Sequence, residues 1–255
     1  MSNFSYSAFK TILSHEIKNY FRDFQWNILS PLVNTLLFIF IMSAIESYYS
    51  FVSNETSYIH FLIPGIIIMV VMQSSFNHLS EVIINMKQIG SFNDYLTSPI
   101  SRIELFFSLL FSSIFICLSI AFINIIILLI FYNFNEINIF SSLYFLILTI
   151  LIFASLGALT GFLSFTWDIQ SAISNFFIIP ISFLSGTFFS IDSINENWQF
   201  IFYYNPFYYL VSGFRNAFIE NINLSYYNHL YIISVTTIFI GISIFIFKKG
   251  YKVIN

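Results

Sequence analysis

The stretch LFFSLLFSSIFICLSIAFINIIILLIFY, residues 105–132, contains no charged side chain. About 20 residues of apolar helix cross the hydrocarbon core of a bilayer, so this stretch is long enough to span a membrane. Its surplus length predicts a helix that tilts or extends past the bilayer. The stretch therefore indicates a protein for which lipid is the main solvent.

The composition of the whole chain supports this interpretation. Of its 255 residues, 58% are hydrophobic and only 8% are charged, whereas a soluble domain carries about 25% charged residues. The mean hydropathy is +0.83. A soluble fold cannot cover its surface with so few charges, so we predict an all-α membrane protein. The single cysteine, Cys117, excludes an intramolecular disulfide and is typical of a small buried side chain.

Charged residues separate six long uncharged gaps, which we interpret as six transmembrane helices. The predicted spans are residues 27–45, 61–80, 105–132, 142–165, 171–191 and 230–247. A further uncharged gap, residues 197–214, is half aromatic and has Asn205 and Pro206 at its middle. Because proline breaks a helix and Trp and Tyr prefer the membrane interface, this gap predicts one or two short helices at or dipping into the membrane surface.

The basic residues predict the orientation. With six spans and a cytoplasmic N-terminus, eight of the nine basic residues lie inside, and only Arg215 lies outside. Both termini are then cytoplasmic, and residues 46–60, 133–141 and 192–227 face outward. A seventh span would send the C-terminal lysines outside. The residues predicted to be cytoplasmic are Lys10, Lys18, Arg22, Lys87, Arg102, Lys248, Lys249 and Lys252.

The N-terminal residues 1–25 show helical spacing, with apolar side chains on one side and the basic ones largely on another. This pattern predicts an amphipathic helix on the cytoplasmic face, in contact with membrane lipids. A simple flank that sets the topology of the first span is the alternative interpretation.

The sequence lacks the residue patterns of a catalytic chain. It has no Gly-x-x-x-x-Gly-Lys-Ser/Thr motif to hold nucleotide phosphates, and no Ser/His/Asp set. The predicted spans also lack the ionisable residues that ion-coupled carriers keep at membrane depth. We therefore expect no enzyme activity, no metal site and no cofactor in this chain. The histidines are too far apart to share a metal: His15, His60, His78 and His229.

Small residues mark two places in the spans. Gly157 and Gly161 would permit close helix approach, but their spacing is a weak signal and ordinary bundle packing is the preferred interpretation. Pro180 and Gly186 bracket a tract that can kink or unwind the fifth span. Unwound backbone is tolerated at membrane depth only beside protein or water, so this tract predicts either a structural kink or a lining of a path.

Three stretches carry a resemblance to a known family. The first is FLIPG at 61–65, which continues through residues 85–102. The second is LGALTG at 156–161, with Asp168 after it. The third is PISFLSG at 180–186, which is followed by Trp198 and by NPFYYLVSGFR at 205–215. Their order and spacing cover nearly the whole chain. Together they resemble the ABC-2-type membrane subunits of ABC transporters, in particular the drug-exporter branch.

This resemblance implies one domain, residues 1–255, that forms the permease subunit of an ATP-driven exporter. It leaves the substrate open, because related permeases move drugs, polysaccharides and lipids; we expect efflux of drugs or other small amphipathic molecules. It implies a bacterial inner-membrane assembly of two permease copies with two ATPase subunits, which bind ATP and Mg; no nucleic-acid partner is expected. Residues 186–215 would form outward-side re-entrant helices before the last span. Four residues of that segment are singled out: Asn205, Pro206, Gly213 and Arg215.

The resemblance also implies that residues 85–96 form a coupling segment that docks on the ATPase. Apolar residues recur here at helical spacing and predict an exposed stripe that a groove on the ATPase covers, with the membrane surface as the alternative. Gly90 lies within the stripe and predicts either two short turns or one helix. The residues assigned to coupling are Met86, Lys87, Ile89, Gly90, Phe92, Asp94 and Leu96.

Two other functions fit the sequence. A permease of the same architecture can export a polysaccharide or a lipid-linked glycan, and a row of tyrosines would stack on sugars or form an interfacial belt. A membrane scaffold or assembly factor would move nothing. The tyrosines in question are Tyr203, Tyr204, Tyr208 and Tyr209.

Overall fold

The computed structural model describes residues 5–49, 58–98, 100–132, 137–191, 194–219 and 225–249. The longer regular elements in these ranges are all helices. They are α1 (Tyr6–Arg22), α2 (Ser30–Tyr49), α3 (Tyr58–Ile89), α4 (Ser91–Thr97), α5 (Arg102–Phe131), α6 (Ile139–Leu163), α7 (Trp167–Ile173), α8 (Ile179–Phe183), α9 (Glu196–Tyr203), α10 (Pro206–Ile219) and α11 (Tyr226–Lys249).

Five helices in the described ranges are long and apolar enough to cross a membrane. Four of them are α3, α5, α6 and α11. The fifth runs from Gln25 to Ile45 and joins a π-helical turn, Gln25–Leu29, to α2. Five of the six predicted spans therefore correspond to helices of sufficient length and hydropathy.

The predicted span at residues 171–191 is shorter and is interrupted. Helical turns run from Trp167 to Phe183 through α7, the π-helical turn Ser174–Ile178 and α8. At 1.5 Å per residue this broken helix is about 25 Å long, less than the roughly 30 Å of a bilayer core. Pro180 supplies no backbone N–H in α8. Residues 184–191 do not continue the helix, so a sixth crossing stays a prediction.

Helix α3 is the central element of the core. In its most apolar 18-residue window 78% of the residues are buried, against 22% for the span that contains α2. A Cβ on Gly157 of α6 would lie 2.3 Å from the Phe76 carbonyl oxygen of α3, and one on Gly161 would lie 2.9 Å from Ile83 Cβ. The structure thus shows that these glycines permit the close approach of α3 and α6.

The two ends of α3 differ in their basic residues. At one end the Lys87 side chain contacts α6, and nearby the guanidinium of Arg102 donates to the Lys248 carbonyl over 2.7 Å. At the other end Arg215 donates to the Phe61 carbonyl over 3.0 Å. Phe61 and Lys87 are about 39 Å apart at helical rise. Arg215 therefore lies at the opposite end of α3 from Lys87 and Arg102, as the distribution of basic residues in the sequence predicted. The side of the membrane that each end faces stays a prediction.

Helix α1 is held against the start of α5. The backbone N–H of Ser5 donates to Glu104 Oε1 over 2.8 Å, and the other oxygen of this buried carboxylate accepts from Ser101 N–H. Ile12 is buried in the same contact. The helix predicted at the N-terminus is present, with one face on α5, and its position on the cytoplasmic membrane surface stays a prediction. Parts of the three predicted outward segments, and Lys252, lie outside the described residues.

Candidate functional site

A cavity of about 610 Å³ lies between α2, α3 and α8. It begins at the π-helical turn that precedes α2 and extends along the faces of α2 and α3 to Phe183 of α8. π-Helical turns break the regular backbone ladder and are frequent at functional sites. The residues that line the cavity are Tyr20, Trp26, Asn27, Ser30, Pro31, Asn34, Thr35, Leu37, Phe38, Ile41, Ile66, Met69, Val70, Gln73, Ser74, Asn77, His78, Glu81, Ile179 and Phe183.

The lining combines apolar and polar side chains. Aromatic rings come from α1, the π-helical turn, α2 and α8, and amides and hydroxyls come from the π-helical turn, α2 and α3. Glu81 supplies one carboxylate, and neither lysine nor arginine is found among the described residues that line the cavity. Such a surface accommodates neutral polar groups and cations, whereas a buried anion would find no basic partner there.

A second cavity of about 520 Å³ adjoins the first at the Lys87 end of the bundle. The two share four lining residues: Tyr20, Asn27, His78 and Glu81. Its other walls come from α1, the last turns of α3, α4 and the start of α7. Burial raises the pKa of the Glu16 carboxyl on this wall, and the neighbouring His15 imidazole at 3.3 Å opposes that shift.

The junction of the two cavities is held by hydrogen bonds. The Tyr20 hydroxyl donates to the Asn27 carbonyl over 2.8 Å, and the Asn27 amide donates to the Tyr20 carbonyl over 3.0 Å. His78 Nδ1 lies 2.8 Å from Ser113 Oγ on α5. Sequence reasoning treated His78 as an isolated polar residue and did not identify this junction.

The predicted path residues lie beside the cavity and not in its lining. Pro180 is on the exposed side of α8, while its neighbours Ile179 and Phe183 line the cavity. Gly186 is buried, with a φ of 77° that favours glycine. A Cβ there would lie 3.0 Å from the Tyr208 ring. Gly186 thus permits the turn after α8, and a role for either residue in transport stays a prediction.

The four residues predicted in the outward-side segment stabilise its local structure. Asn205 Oδ1 accepts from the Phe207 N–H over 3.0 Å, and Pro206 is the first residue of α10, so the pair caps this helix. A Cβ on Gly213 would lie 2.3 Å from the Phe145 ring of α6. The predicted short helices are present as α9 and α10, and their re-entry into the membrane stays a prediction.

Arg215 is buried and donates to three backbone carbonyls. Its Nη2 donates to Gly186 over 2.8 Å and to Thr187 over 3.0 Å, in addition to the Phe61 bond. The guanidinium carbon lies 3.7 Å from the centre of the Phe61 ring. These bonds join α10, α3 and the turn after α8. The charge pattern set Arg215 apart from the other basic residues but did not indicate which groups it contacts.

The coupling segment bends at Gly90, whose φ is 82°, so α4 is separate from α3. The predicted exposed stripe is wrong for two of its members. Met86 and Phe92 are buried, and Phe92 packs on Phe162 and Phe247, so the chain's own helices cover them. Ile89 is 72% exposed.

The remaining coupling residues also include one exposed side chain and one that is bonded to the chain's own helices. Asp94 is exposed on α4, which also contains Leu96, whose side chain lies outside the described residues. Lys87 Nζ donates to the Gly161 carbonyl over 2.8 Å and to the Ser164 carbonyl over 3.2 Å, so it caps the end of α6. The assignment of this segment to an ATPase contact stays a prediction.

The tyrosines considered for sugar stacking do not form one row. Tyr203 and Tyr204 are exposed, whereas Tyr209 is buried and donates from its hydroxyl to the Tyr203 carbonyl over 2.9 Å. Tyr208 packs against Gly186. None of the four lines the cavity.

Comparison with known proteins identifies the family. Residues 7–219 match the family model of the ABC-2 type transporter. Over 220 residues the chain is 24% identical to the inner membrane transport permease YadH of Escherichia coli K12, which covers 86% of each chain. The YadH proteins of Escherichia coli O157:H7 and Shigella flexneri match to the same extent. The multi-pass helical bundle and the family match agree, and this chain belongs to the ABC-2 type transporter family of membrane permeases.

Proposed function

We propose that this chain is the permease subunit of an ATP-driven exporter whose substrates are small amphipathic molecules, neutral or cationic. The observation that carries the proposal is the cavity between α2, α3 and α8. Its described lining has aromatic rings, amides, hydroxyls and one carboxylate, without lysine or arginine. Its volume of about 610 Å³ lies within the range of pockets that hold drug-sized ligands.

Export of a lipid-linked glycan is less compatible with this lining. The phosphates of such a substrate carry negative charge, and an anion that leaves water without a basic partner carries a large free-energy penalty. The four tyrosines that would stack on sugars lie away from the cavity. A scaffold that moves nothing does not require polar side chains around a cavity at membrane depth.

A partner ATPase would bind ATP and Mg, since the sequence contains no phosphate-binding motif. We propose that it docks on the exposed side of the coupling segment, at Ile89 and Asp94. Changing Ile89 to Asp is expected to weaken co-purification with the ATPase, while Ile89→Leu serves as the control. Normal association of the Ile89→Asp variant would contradict this docking surface.

A second permease copy would cover the face of α2 and α8 beside the cavity. Large apolar side chains are exposed on α2 and along the broken helix: Phe40 of α2 is 70% exposed, Phe176 in the π-helical turn before α8 is 75% exposed, and Leu184 directly after α8 is 56% exposed. In a Cys117→Ser background, Leu184→Cys is expected to crosslink two copies. Crosslinking only through Phe115→Cys on α5, which is 62% exposed, would contradict this interface.

The proposed orientation places the Lys87 end in the cytoplasm. In the same cysteine-free background, Lys10→Cys on α1 and Tyr226→Cys at the start of α11 should react with an impermeant thiol reagent from opposite sides of the membrane. Both positions are exposed. Labelling from one side would exclude this topology.

The substrate class is tested with the chain reconstituted together with its ATPase. We expect ethidium, a planar organic cation, to stimulate ATP hydrolysis and to be transported, and the anion fluorescein to do neither. Asn34→Lys places a positive charge on the cavity wall and should lower ethidium stimulation by about tenfold, an effect of the size of one close charge pair. Asn34→Gln is the matched control. Equal stimulation by both dyes, or by fluorescein alone, would exclude the proposed substrate class.

A further inference from the structure

One face of α3 carries a row of polar side chains that pair with the broken helix formed by α7 and α8. The positions on α3 are spaced by four, three and eight residues, so they lie within an arc of about 80° at 100° per residue. We call these paired residues the polar seam. Its members are Gln73, Asn77, Ser80 and Gln88 on α3, and Trp167, Gln170, Ser174 and Ser182 on the broken helix.

The seam begins at the Lys87 end of the bundle. Trp167 Nε1 donates to Gln88 Oε1 over 2.6 Å, one residue before the end of α3. Further along, Gln170 Nε2 donates to Ser80 Oγ over 3.1 Å. Gln170 is buried, so this contact is shielded from solvent by the chain itself.

The seam continues to the cavity wall. Asn77 Oδ1 accepts from Gln170 Nε2 and from Ser174 Oγ, each over 3.2 Å. Gln73 Nε2 donates to Ser182 Oγ over 3.1 Å. From Gln88 to Gln73 the row extends about 22 Å along α3 at helical rise. Gln73 and Asn77 are also cavity-lining residues, so one set of side chains contacts both the broken helix and the cavity.

Lys87 ties the start of the broken helix to the same end of α3. It bonds to the carbonyls of the last turn of α6 and of Ser164, in the connection that leads into α7. Three residues later Gly90 ends α3, and α4 follows directly. A displacement of α4 therefore acts on the end of α3. This end of α3 is bonded to the last turn of α6 through Lys87 and to the first residue of α7 through Gln88.

We propose that the polar seam transmits the movement of α4 to the cavity wall, with Gln88 and Trp167 as positioning residues at its first contact. The inference rests on the proposed function, because it requires an ATPase that moves α4. The chemistry of the seam suits this role. The Gln170 amide lies within hydrogen-bond distance of two oxygens, Asn77 Oδ1 and Ser80 Oγ. A small shift of the broken helix along α3 releases one of these acceptors and keeps the other, so the amide is not left unpaired.

The decisive measurement is the number of substrate molecules moved per ATP hydrolysed by the reconstituted complex, with ethidium as the probe. Trp167→Phe removes the indole N–H and keeps an aromatic ring, and Gln88→Leu removes its acceptor. Each change should lower the transport-to-hydrolysis ratio by about threefold, the scale of one interhelical hydrogen bond in a membrane protein. The double variant should lose no more than either single variant, since both remove the same bond.

Two matched controls separate transmission from general packing. Trp198→Phe makes the same change on α9, at a side chain that is 60% exposed. Asn124→Leu on α5 removes an amide that donates to its own helix at Ile120 over 2.8 Å, and it is compared with Gln170→Leu in the seam, whose side chain does not line the cavity. Only the seam variants should lower the ratio, while ATPase association and basal hydrolysis stay at the level of the unaltered protein.

The possible results are distinguishable. An unchanged ratio in the seam variants, an equal loss in the Asn124→Leu control, or additive losses in the double variant would each overturn the polar seam and leave the exporter assignment intact. Failure of the unaltered chain to associate with an ATPase would overturn both proposals. Trp167 is 39% exposed, so Trp167→Phe is expected to elute as the unaltered protein does on size exclusion; aggregation of this variant would assign the bond to folding instead.

Discussion

Helix α3 contacts α6 on one face and the broken helix α7–α8 on another, and the two contacts differ in chemistry. On the α6 face, Gly157 lies against the Phe76 carbonyl, and side chains interlock with no space for a methyl group. On the other face, amides and hydroxyls such as Asn77 and Gln170 meet at hydrogen-bond distance.

The difference separates a fixed contact from an adjustable one. Interlocked apolar side chains at close backbone approach have a single register, because any shift creates overlap on one side and a void on the other. Amide and hydroxyl groups can exchange partners at nearly constant hydrogen-bond number. We therefore expect α3 and α6 to move as one body, and α7–α8 to shift against it.

The largest effect should come from filling the close contact between α3 and α6. Gly157→Leu places a side chain where even a Cβ would lie 2.3 Å from a backbone oxygen that cannot turn away. We expect destabilisation by more than about 3 kcal/mol and loss of folded protein from the membrane. Membrane yield and size-exclusion elution measure this. The matched control is Gly241→Leu on α11, where a Cβ meets nothing within 4 Å; equal losses in both would contradict the comparison.

The next largest effect is expected at Arg215. Arg215→Met leaves the carbonyls of Phe61, Gly186 and Thr187 without this donor, and we expect destabilisation by about 3 kcal/mol. Thermal aggregation of detergent-extracted protein provides the measurement. Arg22→Met, at an exposed position of α1, should change little. A wild-type melting profile for Arg215→Met would show that the turn after α8 is held by other contacts.

Lys87 should have a smaller effect on stability. Lys87→Met removes the cap on the α6 carbonyls at the end of the fixed contact, and we expect a loss of about 1.5 kcal/mol. The same assay, with Lys18→Met on the exposed side of α1 as the control, measures it. Unaltered stability together with lost ATPase association would instead assign Lys87 to the partner contact, as the sequence alone suggested.

The smallest effect is expected within the polar seam. Asn77→Leu leaves the Gln170 and Ser174 donors with one acceptor fewer, and the expected loss is about 1 kcal/mol. Pairing Asn77→Leu with Gln170→Leu replaces both partners by apolar groups and should restore most of the stability. A double variant less stable than either single variant would mean that this face is packed as tightly as the α6 face.

The sequence predicted the elements that depend on local pattern. Long uncharged runs predicted five spans that the structure shows, and the Asn205-Pro206 pair predicted the break between α9 and α10. The fifth predicted span, residues 171–191, extends past the observed end of α8 at Phe183, because hydropathy carries no information about the geometry of a turn. The helical region ends at Phe183, and Gly186, at positive φ and with its carbonyl bound by Arg215, shapes the turn that follows.

The coupling segment shows why periodicity was insufficient for the candidate site. The spacing of Met86, Ile89 and Phe92 correctly indicated helical turns, but two of these residues face the chain's own core. A periodic pattern defines a face of a helix without saying which neighbour covers it. The cavity was also missed, because Asn34 and Gln73 belong to different helices and no sequence spacing connects them.

The sequence by itself determined that this is a membrane protein, because a chain with 8% charged residues cannot form a water-exposed surface. It also determined the positions of the helices, since hydropathy and proline act on neighbouring residues. The tertiary structure alone decided which face of each helix is buried, which carbonyls Arg215 and Lys87 bind, and where α2, α3 and α8 leave a cavity. These outcomes depend on contacts between residues far apart in the chain, which form only when the helices pack.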